Sequence, residues 1–256
     1  MRIRCTITME TATITTAMIK VTTKAMIMAT DPRALLRIMS WLSPAFPVGG
    51  FAYSHGLEAA FEQGAVTDAT TLGEWLDGAI GFGSARNDAV LLSVAHQAAM
   101  SEDHEALREV ADLARCLFGA PELKGESIVQ GNAFWRTVRA AWAHAGLDDL
   151  RPCLPDGEIA YPIAIGIAAA LHGVGRHDAT AAFLHGFAAN GVSAAIRLGM
   201  IGQTDGQRVV QFLEDTTIKT ADTCEDATIQ DIGSASLAID MMALAHETQT
   251  TRLFRS

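Results

Sequence analysis

Leu107-Arg-Glu-Val-Ala-Asp-Leu-Ala-Arg-Cys-Leu-Phe-Gly-Ala-Pro121 is the stretch on which the fold class turns. Within it Leu107, Val110, Ala111, Ala114, Leu117 and Phe118 recur at i, i+3, i+4 and i+7, which gathers them on one face of an α-helix. Gly119-Ala-Pro121 stops the run. Upstream, Asn87-Asp88 supplies a cap for a helix reaching Met100, so the two segments form an antiparallel pair.

The same period extends in both directions. Asp31-Pro32 is an N-cap with proline at the first helical position, followed by Leu35, Leu36, Met39 and Leu42 on one face until Pro44 ends the helix. Leu57, Ala60 and Phe61 begin a second helix, and Thr71-Leu-Gly-Glu74 matches a capping box ahead of Trp75, Leu76 and Ile80. Further helices are predicted over residues 122–145, 162–174, 178–200, 206–212 and 237–245, with Gly146, Pro152 and Pro155 marking the longest interior break. Residues 214–231, with six acids and one lysine, read as a solvated connection ahead of the last helix. Strand-like alternation is scarce and no β-α-β succession appears. The expected fold is an all-α, single-domain bundle of roughly eight to ten helices, spanning residues 31–245.

A chain of 256 residues, 49% of them hydrophobic, is long enough for one sizeable core. Its formal charge of -10 is unevenly placed: residues 1–30 carry four basic side chains and one acid, so the remaining 15 basic and 28 acidic residues amount to -13. An acidic body repels phosphate backbones, which argues against nucleic acid. Cys5, Cys116, Cys153 and Cys224 form no C-x-x-C pair and no disulfide framework, in keeping with a cytoplasmic protein. The longest apolar stretch, Ile163 to Leu171, is too short to cross a bilayer and is expected to be a core helix. Residues 1–30 are rich in Thr and Met without a continuous apolar run, and read as a disordered extension or an overlong start.

Catalytic motifs are missing. There is no G-x-x-x-x-G-K-[ST] phosphate loop, no G-x-S-x-G, no H-E-x-x-H and no dinucleotide fingerprint, so the chain is not expected to be an enzyme or to bind a cofactor tightly. His172, His177 and His185 are spaced by five and eight residues, which does not place all three on one helix face.

Three segments remain that periodicity does not absorb. In Ser43-Pro-Ala-Phe-Pro-Val-Gly-Gly-Phe-Ala-Tyr-Ser-His-Gly-Leu-Glu58, Pro44, Pro47, Gly49 and Gly50 shape a turn, Ser54 can cap a helix and Glu58 can complement its N-terminus. The aromatic hydroxyl of Tyr53 can hold the C-terminal tail or line a partner surface. In the segment from Asn190 to Arg208, small residues suit close helix packing and Gln203, Gln207 and Arg208 are left as interface candidates. The last eleven residues, His246-Glu-Thr-Gln-Thr-Thr-Arg-Leu-Phe-Arg-Ser256, put two guanidinium forks around an apolar Leu-Phe pair. His246, Glu247, Arg252, Leu253, Phe254 and Arg255 therefore form a candidate partner-docking tail.

In that order and at those positions, the three segments resemble the urease accessory protein family UreF. The resemblance covers residues 31–256, apart from Thr250-Thr251 where the family carries Tyr-Ser. It implies an all-helical, non-enzymatic homodimer that joins a second accessory protein (UreD, also called UreH) and the GTPase UreG to deliver nickel to apo-urease. Nickel is then handled by the complex and GTP by the GTPase. The competing expectation is a helical metal-binding protein or metal-dependent enzyme using His172, His177, His185 or His246 with acidic residues. Because residues 1–27 carry no amphipathic pattern to offset their ordering entropy, a chain without them is expected to keep its melting temperature and its partners. A melting point lowered by several degrees would make that segment structural.

Overall fold

The computed structural model describes residues 31–117, 119–233 and 235–256, and every regular element among them is helical. Ten α-helices have ten residues or more: α1 (Pro32–Trp41), α3 (Ala69–Phe82), α4 (Ser84–Met100), α5 (His104–Ala114), α6 (Pro121–Ala141), α8 (Tyr161–Leu171), α9 (Arg176–Arg197), α10 (Gln203–Phe212), α11 (Glu214–Cys224) and α12 (Leu237–Glu247). Two short ones, α2 (Leu57–Glu62) and α7 (Ala145–Asp149), complete the set. The chain is all-α, as its periodicity implies. The expectations for residues 1–30 and Phe118 lie outside the described residues.

Local chemistry explains several of the boundaries. The Asp31 carboxylate accepts the Arg33 N–H at 3.0 Å, with Pro32 opening α1. Asp103 likewise accepts the Ala106 N–H at 3.0 Å to start α5, which buries Leu107, Val110, Ala111 and Ala114 on the predicted face. That helix ends at Ala114, so Leu117 lies beyond it.

Four local expectations fail. The capping box of α3 is formed by Asp68 and Thr71, one turn ahead of the Thr71–Glu74 match, because Asp68 takes the Thr71 N–H while Thr71 Oγ1 accepts the Asp68 N–H. Helix α4 begins at Ser84, before Asn87-Asp88. Residues 214–224 are helical: α11 buries Thr217, Thr220, Ala221 and Cys224, and is tied down where Ser93 Oγ donates to the Cys224 carbonyl at 2.5 Å and Thr216 Oγ1 donates to Asp77. On α1 the buried residues are Ala34, Ile38 and Trp41, whereas Leu35, Leu36 and Met39 face outward, with Leu36 64% exposed. Aromatic packing decides that rotation, since Trp41 meets Phe134, Trp142 and His172 edge-on at 5.3–6.0 Å between ring centroids.

Helix α8 is the axis of the larger core, buried from Pro162 through Ala170 between α4 and α6. Small residues set its approach distances. A Cβ built on Gly166 would stand 2.5 Å from the Leu92 carbonyl oxygen of α4, and one on Gly131 of α6 would stand 2.0 Å from the Ile159 carbonyl oxygen. A second core cluster joins Leu72, Leu76 and Ile80 of α3 to Leu184 and Val192 of α9 and Val209 of α10, and Phe254 from the chain's end closes it. Helix α9 is the one described helix long and apolar enough to cross a membrane by length and composition, and half of that window is buried inside the fold.

Gly166→Ala is expected to lower stability by about 1–2 kcal/mol, because the clash with backbone outweighs the ~1 kcal/mol that alanine adds to helix propensity. Urea denaturation checks this. A midpoint equal to or above the parent's would mean that α4 and α8 part at no cost.

Candidate functional site around the C-terminal tail

The loop after α1 is built for close approach. Gly49 takes a left-handed backbone (φ +78°), as the Pro/Gly turn requires, while Gly50 does not. His55 (φ +53°) and Gly56 (φ +77°) then form a second left-handed pair that delivers the chain into α2. Gly56 is the tightest point: a Cβ there would lie 2.7 Å from the Ala243 nitrogen of α12. The last helix therefore rests directly on the loop backbone.

Beyond α12 the chain folds back onto the same loop. Glu58, 4% exposed, accepts the Leu253 N–H on Oε1 at 2.6 Å and the Phe254 N–H on Oε2 at 3.0 Å. The Arg255 N–H donates to the Ala52 carbonyl, and the Ser54 N–H and hydroxyl both donate to the Ser256 carbonyl oxygen. Phe254 is buried under the Arg197 guanidinium, whose centre stands 4.5 Å from the ring centroid and which also donates to the Phe51 carbonyl. Asn190 Nδ2 donates to the Tyr53 carbonyl at 3.2 Å. Ser256 Oγ reaches inward to Glu126 at 2.7 Å.

His246 is the second anchor. Its ring is fully buried, with Nε2 3.2 Å from Glu58 Oε2 and Nδ1 2.8 Å from Glu122 Oε2. Arg252 donates to the other oxygen of Glu122 at 2.5 Å, and the Glu122 N–H donates to Glu247 at 3.4 Å.

Deeper in, His55 Nε2 lies 3.1 Å from Glu126 Oε1 and Gln130 Nε2 donates to the same oxygen at 2.7 Å. Burial pushes the Glu126 carboxyl up to about 8 and holds the His55 imidazole down to about 4. Opposite formal charges suggest an ion pair, but desolvation outweighs their attraction. Desolvation thus disfavours charge on both partners. Asp88 is pushed up to about 7 by burial and by the Glu126 charge, and the Tyr161 phenol is raised for the same two reasons.

The structure thus brings Tyr53, Ser54, Glu58, His246, Glu247, Arg252, Leu253, Phe254 and Arg255 to one place, but in roles that differ from their sequence assignment. Tyr53, Ser54, Glu58, His246 and Phe254 are buried in the chain's own body, so they shape the tail and do not face a partner in this conformation. Glu58 serves the tail's N–H groups, and the N-cap of α2 is Gly56, with Ser54 Oγ only 3.4 Å from the Glu58 N–H. Leu253 (62% exposed), Arg255 and neighbouring Phe51 point outward. Gln203, Gln207 and Arg208 lie apart, on the exposed side of α10 where it packs against α3, α9 and α11. Arg208 there pairs with Asp205.

Sequence reasoning missed His55, Gly56, Glu122, Glu126, Asn190 and Arg197 as site residues. A carboxylate on the inward side of an amphipathic helix was the available signal for Glu126. As for the histidines, His172 packs on Trp41, His177 pairs with Asp222 at 3.0 Å and His185 is exposed, so the three do not converge. Among the described residues no group of three or more His, Cys, Asp or Glu is placed to hold a metal ion.

Comparison with known proteins bears on the identity of this arrangement. The UreF family model matches residues 66–214, more than half of the chain. The chain belongs to the UreF family. Urease accessory protein UreF of Bradyrhizobium diazoefficiens is 46% identical over 228 residues, covering 89% of this chain and 94% of the relative. Those of Rhizobium etli (47%; 88% and 97% covered) and Rhodopseudomonas palustris (44%; 92% and 96% covered) are similar to the same extent. These UreF names describe accessory proteins, not enzymes, in agreement with the missing catalytic motifs.

Gly56→Ala is expected to lift α12 and the tail off the loop, since the new methyl meets backbone that cannot swing away. A melting temperature several degrees lower, with faster amide exchange at Leu253 and Phe254, is the expected outcome. Unchanged exchange at those amides would show that the tail seats without α12.

Proposed function

We propose that this UreF-family chain is a non-enzymatic urease maturation factor in the cytoplasm. It acts as a homodimeric scaffold that joins a second accessory protein of the UreD/UreH type and the GTPase UreG for delivery of nickel to apo-urease. Nickel is cargo of the assembly in this scheme, and GTP is the partner's ligand. The observation that carries the docking part is the division of the tail into anchors and presented groups. Glu58, His246 and Phe254 hold the segment rigidly, while Leu253 and Arg255 are held out to solvent beside Phe51. A segment ordered before it meets its partner loses less conformational freedom on binding, which favours affinity.

Leu253→Asp combined with Arg255→Ala leaves the internal hydrogen bonds of the tail in place, because both residues use only their backbone N–H groups there. The double variant is expected to keep the parent's helical circular dichroism and melting temperature. Its copurification with the UreD/UreH-type protein should weaken at least about tenfold, or roughly 1.4 kcal/mol. Undiminished complex formation and nickel loading of urease by this variant would end the docking proposal.

A further inference from the structure

Four positions in the sequence set Asp or Asn directly before glycine: Asp77-Gly78, Asp156-Gly157, Asn190-Gly191 and Asp205-Gly206. In such a pair the glycine's peptide nitrogen can attack Cγ of the preceding side chain, since no Cβ shields it and the backbone bends freely there. The fold does not treat the four alike.

Asp77, Asn190 and Asp205 lie within α3, α9 and α10. A helix tilts every Cα–Cβ bond toward its N-terminus. The following peptide nitrogen lies on the C-terminal side, so Cγ and nitrogen are held apart. Each of these side chains is also occupied: Asp77 accepts from Thr216 Oγ1, Asn190 Nδ2 donates to the Tyr53 carbonyl, and Asp205 pairs with Arg208. Gly191 and Gly206 are buried as well, where an added Cβ would stand 2.7 Å from Leu76 Cδ2 and 2.8 Å from Val192 Cγ1.

Asp156-Gly157 lies instead in a turn between the short 3₁₀ segment Arg151–Cys153 and α8. The Asp156 side chain is 99% exposed, and Gly157 takes a left-handed backbone (φ +70°) where an added Cβ would meet nothing within 4 Å. Arg151 donates to one Asp156 oxygen at 2.6 Å, which leaves Cγ open to approach, and Asn132 Nδ2 holds the Gly157 carbonyl at 2.7 Å.

We propose that Asp156-Gly157 is a site of spontaneous isoaspartate formation, the one of the four that the folded chain leaves reactive. The Gly157 nitrogen bonds to Asp156 Cγ and gives up its proton as the carboxyl group gives up its hydroxyl, so one water leaves and a five-membered succinimide closes. Water then adds back and cleaves one of the two C–N bonds of the ring. Cleavage at Cγ restores aspartate. Cleavage at the main-chain carbonyl carbon routes the backbone through Cβ and Cγ and leaves the free carboxylate on Cα. One water is lost and one regained, with no change of oxidation state. The product is one methylene longer between Cα of residue 156 and Gly157, on a turn pinned at Asn132, so the carboxylate is drawn off Arg151. Glu158, which Arg115 and Lys124 hold from α5's end and α6, is the next residue but one to bear the change.

The test uses the full chain, held folded at physiological temperature and neutral pH, then digested and read by mass spectrometry with electron-transfer fragmentation. Isoaspartate is expected to accumulate at 156 at least about tenfold faster than at 77, 190 or 205, where reaction must wait for a helix to open locally. A parallel sample kept in guanidinium chloride should lose that selectivity, with all three helical positions reacting and Asn190, whose amide is the better leaving group, ahead of Asp156. Asp156→Glu, which keeps a carboxylate within reach of Arg151 but disfavours ring closure, should remove most of the isoaspartate formed in the folded chain. Absence of isoaspartate at 156 in the folded chain overturns the proposal. So does accumulation at the helical positions at the same rate, or the same pattern in folded and unfolded samples.

Discussion

The carboxylate of Glu58 ties together the parts of this protein that are distant in sequence. It is buried, and it accepts two backbone N–H groups of the tail and one ring nitrogen of α12. A buried carboxylate without partners would cost several kcal/mol. With those three it organises a loop, a helix and a terminus around one point. Phe254 follows into the second core cluster because its own N–H is fixed there, and Arg197 covers its ring.

The division of the fold into helices was legible because most long helices carry an apolar period, and three of the ten also carry a side-chain N-cap, from Asp31, Asp68 and Asp103. Helix α11 was not, since the residues it buries are Thr217, Thr220, Ala221 and Cys224. They stand at i, i+3, i+4 and i+7 but are too small and polar to register as an apolar stripe, and its six neighbouring acids point to water. The reverse error on α1 has the opposite cause. Leu35, Leu36 and Met39 are more apolar than Ala34, yet the fit of Trp41 among aromatic rings sets which side faces inward.

The candidate site was legible as two unusual segments, and not as one place. Nothing in local spacing states that residue 58 will hold residues 253 and 254, because that contact spans most of the chain. An Arg-Leu-Phe-Arg tail with apolar and cationic groups therefore reads equally well as bait for another protein or as a plug for its own body. The structure seats Phe254 inward and leaves Leu253 outward. Gly56 illustrates the same limit: its neighbour Ala243 lies in the last helix, and only the assembled fold shows that a single methyl would separate them.

Residues 247–252 leave Glu58 at His246 and come back to it at Leu253, so one side chain holds both ends of a six-residue loop. The loop is closed on itself like a ring threaded through one fastening. Its sequence can vary where the side chains face solvent, as at Thr250 and Thr251, but its length cannot. One residue added or removed would force either the imidazole or the peptide N–H groups to let go. Drift in this tail should therefore be accepted as substitution and refused as insertion or deletion.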